Sequence, residues 1–182
     1  MSYKIAITNM VAEADFGVTI DLKDFVSKTD GVEYTPEIFS GVIYRLHEPK
    51  ITALIFSSGK SVLTGALSEE NIGVAVDKVK AKLLEAGIKV KSTPCFEVQN
   101  IVASADLGSK INLDQLAIES LNTEYEPEQF PGLVFRIENP KTVILVFATG
   151  KLVLTGAKKT SDLYAATDKT RDMITDSNAF IR

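Results

Sequence analysis

The sequence predicts an α+β fold built from two tandem, pseudo-symmetric copies of one antiparallel unit. Three observations carry that reading. The 182-residue chain aligns with itself at a shift of 91 residues: Asn9 to Ala66 fall on Asn100 to Ala157 without a gap, with 26 of 58 positions identical. Each copy holds short β-branched and apolar runs cut by turn residues, the pattern of an antiparallel meander. Each copy then closes on apolar residues spaced three and four apart, which marks an amphipathic helix. Two copies are too few for a solenoid, which needs about three repeats or more. The chain therefore reads as an intramolecular pseudo-dimer with repeats at 1–91 and 92–182.

Taken in order, Lys4 to Ala14 is a strand rich in apolar residues. Asp21 is an N-cap for a short helix that buries Leu22, Phe25 and Val26, and Asn112-Leu113-Asp114-Gln115 repeats the signal as a capping box. Strands follow at Val32 to Tyr34, Val42 to Leu46, Ile51 to Phe56 and Ser61 to Ala66. Their breaks, Pro36, Gly41, Pro49 and Gly59, all recur 91 residues later. Ser68 caps the long helix, Glu69 and Glu70 suit its first turn, and Ile72, Val76, Val79 and Leu83 form its buried face. Leu163, Ala166, Met173 and Ile174 sketch the second copy of that face.

Composition narrows the class. With 45% hydrophobic and 24% charged residues the chain has enough apolar matter for a core, which excludes a disordered tail. Cys95 is the sole cysteine, so a disulfide scaffold is excluded as well. No stretch approaches about 18 uninterrupted apolar residues, and Met1-Ser2-Tyr3-Lys4 lacks the layout of a signal peptide, so the expectation is a soluble, cytoplasmic protein without a membrane partner. The net charge of -4 and pI near 5.1 argue, taken alone, against a nucleic-acid partner.

Catalytic and cofactor motifs are missing. Gly59-Lys60-Ser61 resembles the end of a phosphate-binding loop, but Leu54 stands where that motif needs glycine, and the context is a hairpin. One histidine and one cysteine make neither a zinc site nor a nucleophilic pair. The expectation is a binding module, with no metal, cofactor or enzymatic activity.

The strands say where binding would occur. In Ile51 to Phe56 one face carries Ile51, Ala53 and Ile55 and the other Thr52, Leu54 and Phe56; Thr142 to Phe147 does the same. A strand apolar on both faces expects cover on both. Each repeat has helices enough for one side only, so the second face is expected to be open, as a binding surface or an aggregation hazard. Asn9, Val11, Val62 and Thr64 share that face in the first copy, and Asn100, Val102, Val153 and Thr155 share it in the second.

Gln99 to Ser104, Glu126 to Leu133, Arg136, Pro140-Lys141, Ser58-Gly59-Lys60 and Val153 to Lys158 resemble, in register and over essentially the whole chain, the core of the TATA-box-binding protein family. The acidic balance and the lack of a long N-terminal extension resemble its archaeal branch. The resemblance implies a curved antiparallel saddle of about ten strands, with helices on the convex side and the concave face on the minor groove of A·T-rich promoter DNA. It also implies a kinked duplex, a feature for which this family is itself the standard example.

By that resemblance, Asn9 and Asn100 donate near the centre of the site with Thr64 and Thr155 beside them, and Val11, Leu54, Val62, Val102, Leu145 and Val153 make apolar contact. Phe39 with Phe56, and Phe130 with Phe147, are the wedges; Arg45, Lys60, Arg136 and Lys151 meet phosphates. Glu126 and Glu128 lie in the loop that docks transcription factor B, through which RNA polymerase is recruited. The free protein is expected to be able to form a homodimer, and its place of work is the nucleoid. The alternative left open is a diverged relative that uses its apolar sheet as a protein-interaction module.

The charge distribution fits DNA better than the total does. Residues 39–66 hold Arg45, Lys50 and Lys60 against Glu48, and residues 130–157 hold Arg136, Lys141 and Lys151 against Glu138. Each block is thus +2, which leaves -8 for the remainder of a chain whose net charge is -4.

Overall fold

The computed structural model describes residues 3–90 and 94–182. The expected repeat boundary between residues 91 and 92 lies outside the described residues. By packing, the chain divides into two units: Asn9–Gln99, and Asn100–Arg182 together with the N-terminal residues through Thr8. The units and the sequence repeats differ because two strands run across the division. Strand β1 (Ile5–Asp15) starts in the second unit, where Thr8 Oγ1 donates to the Val102 carbonyl at 3.2 Å. Strand β6 (Cys95–Asp106) starts in the first.

In the first unit, helix α1 (Leu22–Ser27) follows β1. Strands β2 (Val32–Glu33), β3 (Val42–Leu46), β4 (Ile51–Ile55) and β5 (Lys60–Ala66) come next, and helix α2 (Glu69–Glu85) closes it. Its strands pair antiparallel in the order β2-β3-β4-β5-β1. The second unit repeats this plan after β6, with α3 (Leu113–Glu119), β7 (Thr123–Glu124), β8 (Leu133–Glu138), β9 (Lys141–Val146), β10 (Lys151–Ala157) and α4 (Thr160–Asp176). Its strand order is β6-β10-β9-β8-β7. No helix among the described residues is long and apolar enough to cross a membrane.

The helices cover one face of each sheet. α2 packs on β4 and β5, so that Ala53, Ile55 and Leu63 are buried against Ile72, Ala75, Val76, Val79 and Leu83. α4 does the same on β9 and β10 over Ile144, Val146, Leu152 and Leu154. Each Leu or Ile withdrawn from water there contributes about 1.5–3 kcal/mol. The Gly59-Lys60-Ser61 segment is the β4–β5 hairpin: Gly59 N–H donates to Phe56 O, and Phe56 N–H to Lys60 O, each at 3.0 Å.

Local details differ from expectation in three places. The capping box at Asn112 is half formed: Asn112 Oδ1 accepts from Gln115 N–H at 3.1 Å, but the Gln115 amide turns away to donate to Ser177 O. The Asn112 N–H it would have met is already bound to Ala179 O. Met173 is only half-buried; Thr167 and Thr170 sit in the core of α4 instead, because each hydroxyl donates back to the carbonyl four residues earlier, Leu163 O at 2.8 Å and Ala166 O at 2.7 Å. Val26 is likewise half-buried while Leu22 and Phe25 are buried.

Candidate nucleic-acid interface

The face left uncovered by the helices carries the expected constellation in each unit. Along β4 the residues alternate buried and half-exposed, with Ile51, Ala53 and Ile55 inward and Thr52 and Leu54 outward, and β5 alternates likewise with Val62 and Thr64 outward. Register ties these side chains into rows. Thr64 stands between Val11 and Thr52, and Val62 between Glu13 and Leu54. Leu54 is next to Ile43, and Thr52 next to Arg45. In the second unit Val153 lies between Ser104 and Leu145, and Thr155 beside Val143. An apolar surface with scattered hydroxyls, open to solvent, is what remains on each sheet.

The asparagines are held by a break in the ladder. Between Met10 and Val11 the pairing of β1 with β5 shifts register, leaving Gly65 as the extra residue at φ 100°. A bulge leaves a backbone group unpaired, and Asn9 Oδ1 accepts the Gly65 N–H at 2.7 Å. Asn100 Oδ1 accepts from Gly156 N–H in the same way at 2.7 Å, where β10 shifts against β6. With the amide oxygen engaged, the amino group is the end left to face outward. In the second unit Asn100 Nδ2 also reaches Thr155 Oγ1 at 3.4 Å.

The phenylalanines form two matched pairs. Phe39 and Phe56 have ring centroids 5.8 Å apart at 68°, and Phe130 and Phe147 are 5.9 Å apart at 70°. Phe130 is 40% exposed, so at least this ring is not core. Beneath each pair lies a buried glycine. A Cβ on Gly41 would stand 2.9 Å from Phe39 Cε1 and 3.0 Å from Phe56 Cε1; on Gly132 it would stand 2.8 Å from Phe130 Cε1 and 3.0 Å from Phe147 Cε1. Sequence reasoning read Gly41 and Gly132 only as chain breaks. The signal that both are seats for aromatic rings was their recurrence together with the phenylalanines.

The cations flank these faces and are only partly free. Arg45 pairs with Glu33 at 2.6 Å and Arg136 with Glu124 at 3.9 Å, each with more than half of the side chain exposed. Lys60 pairs with Glu13 at 3.2 Å. Lys151 has no ion pair among the described residues, and Ser104 occupies the position that Glu13 holds in the other repeat. Glu126 and Glu128 are exposed in the turn before β8, where Glu126 O accepts from the Gln129 and Phe130 amides at 3.0 Å. No group of three or more His, Cys, Asp or Glu suited to a metal occurs among the described residues.

Known proteins resemble the chain over nearly its whole length. A family model described as "Transcription factor TFIID (or TATA-binding protein, TBP)" matches twice, at residues 4–86 and 95–177. The TATA-box-binding protein of Methanococcus aeolicus is 48% identical over 174 residues, 96% of each chain. TATA-box-binding protein F of Halobacterium salinarum is 48% identical over 176 residues, 94% of each. The solved structure titled Methanococcus jannaschii TBP superposes with a TM-score of 0.89 at 45% identity, covering 95% of this chain and 99% of that one.

Proposed function

Since the chain belongs to the TATA-binding protein family of transcription factors, we propose that the open face of each repeat takes half of one A·T-rich promoter site in the minor groove. The family's role is general transcription initiation, and its members bind DNA and are not enzymes. The observation that carries the residue assignment is the duplicated arrangement of an outward asparagine amino group, a row of valine, leucine and threonine, and a phenylalanine pair seated on a buried glycine.

The chemistry is matched to A·T pairs. Their minor-groove edges offer only acceptors, A N3 and T O2, and no protruding amino group. Asn9 and Asn100 supply donors, Thr64 and Thr155 supply hydroxyls that adapt, and Val11, Leu54, Val62, Val102, Leu145 and Val153 fill the floor. A G·C pair would press its 2-amino group into this surface. Phe39 with Phe56 and Phe130 with Phe147 wedge between base steps; unstacking a step costs a few kcal/mol, offset by the larger contact that bent DNA allows. Arg45, Lys60, Arg136 and Lys151 hold phosphates and fix register without reading sequence.

Glu126 and Glu128 supply the acidic surface to which a basic patch of transcription factor B docks, and RNA polymerase follows through that factor. In the free protein the apolar faces of two copies cover each other as a homodimer. The work is done in the cytoplasm, on the nucleoid. A fluorescence bending assay on an A·T-rich promoter and a G·C-rich control, with wild type and with Phe56→Ala and Phe147→Ala, tests the reading. Tight binding and bending of the first duplex alone, lost in the variants, is expected. Equal, feeble binding to both duplexes by the wild type would sink it.

A further inference from the structure

The two open faces are close in chemistry, and the row through Glu13 differs in charge. Val11 corresponds to Val102, Leu54 to Leu145, Val62 to Val153, Thr64 to Thr155 and Lys60 to Lys151. Glu13 corresponds to Ser104, the one change of charge among the outward residues that β1 and β5 place on the open face and their counterparts on β6 and β10. The Glu13 side chain is on the open face: Ala12 and Ala14 beside it are buried, its cross-strand neighbour is Val62, and 41% of it is exposed. Lys60 Nζ stands 3.2 Å from its Oε1, which neutralises the carboxylate where it would otherwise face DNA phosphates.

A carboxylate can only accept hydrogen bonds. At an A·T pair the minor groove also shows only acceptors, so Glu13 has nothing to bind there and its lone pairs oppose those of the base edge. The one donor the minor groove offers is the 2-amino group of guanine. Ser104 in the same row both donates and accepts, so it makes no such demand. Resting on the minor-groove reading above, we infer that Glu13 is a specificity-determining residue that accepts a guanine 2-amino group, so that the half-site under the first repeat takes a G·C pair at one position where the other half-site takes A·T.

This difference gives an otherwise pseudo-symmetric reader a direction. The preference at that base pair should be about tenfold, the range in which single base-pair changes act. Selection of bound sequences from random duplex DNA tests it, with wild type, Glu13→Ser, Glu13→Gln and Ser104→Glu, each checked for folding by its thermal melt. The wild type should yield an A·T-rich consensus with a G·C pair in one half only. Glu13→Ser should abolish that pair and leave the two halves alike, Glu13→Gln should weaken it, and Ser104→Glu should add a second G·C pair at the mirror position. A wild-type consensus without an asymmetric G·C pair, or one unchanged in Glu13→Ser, overturns the inference and leaves minor-groove binding standing. A pool with no A·T-rich consensus at all overturns the reading beneath it.

Discussion

Asn9 Oδ1 accepts the Gly65 amide at 2.7 Å, and this one bond both repairs the bulge in β5 and turns the asparagine amino group outward. Asn9→Asp and Asn100→Asp separate the two roles, since the carboxylate still accepts from Gly65 or Gly156 but presents charge in place of a donor. Affinity for A·T-rich DNA should fall about tenfold or more for each, within the 1–3 kcal/mol that a base-edge contact contributes. The melting temperature should hardly move. Titration by fluorescence anisotropy beside a thermal melt checks both; a variant that binds as the wild type would remove the asparagines from the interface.

Gly41→Ala should damage bending before it damages stability. The added methyl would lie 2.9 Å from Phe39 and 3.0 Å from Phe56, so the rings must shift, while the glycine's own backbone is not in the left-handed region. Displaced wedges enter the base steps poorly, and the bend measured by energy transfer across a labelled promoter should shrink. Gly132→Ala should do the same at the other end through Phe130 and Phe147. Full bending by both variants would show that the rings adapt, and that the glycines only save space.

The sequence made the repeat, the strand faces and the aromatic pairs legible because each rests on spacing, and a shift of 91 residues shows every spacing twice. What escaped was satisfied by partners distant in the chain or by backbone geometry. Thr167 and Thr170 look polar in a helical pattern, yet bury once their hydroxyls close on carbonyls of their own helix. Gln115 resembles a capping residue until Ser177, 62 positions away, claims its amide. The bulge at Gly65 is a matter of φ, which a glycine permits but does not announce. Ser61, buried without a hydrogen-bond partner where the second repeat has Leu152, shows that internal symmetry is no guide to each core position.

Lys60 and Lys151 are equivalent in sequence and should be unequal in use. Lys60 is tied to Glu13 at 3.2 Å, whereas Lys151 has Ser104 in that place and no ion pair among the described residues. Each phosphate neutralised contributes about 0.9 to the slope of log K against log salt. Lys151→Ala should therefore reduce the slope by about 0.9, and Lys60→Ala by clearly less. Binding isotherms over a salt series decide it; equal losses would mean that Lys60 leaves Glu13 when DNA arrives.

Tyr3 makes the fold sensitive to alkali. Its hydroxyl donates to Asp168, the Arg171 guanidinium lies 5.7 Å from its ring centre, and its pKa is pushed up to about 12. Burial contributes most, the Asp168 hydrogen bond and charge add to it, and Arg171 opposes them. The folded state thus favours the neutral phenol, whose ordinary pKa is about 10. Stability from this contact is fully present below about pH 10 and is lost as pH rises through about 12. Tyr3→Phe removes both the hydroxyl and its titration, so its unfolding midpoint should lie below that of the wild type at neutral pH, and the gap should close between about pH 10 and about pH 12. Urea unfolding across that range reads the gap directly. A difference that stays constant would mean that the phenol ionises alike in the folded and unfolded chains.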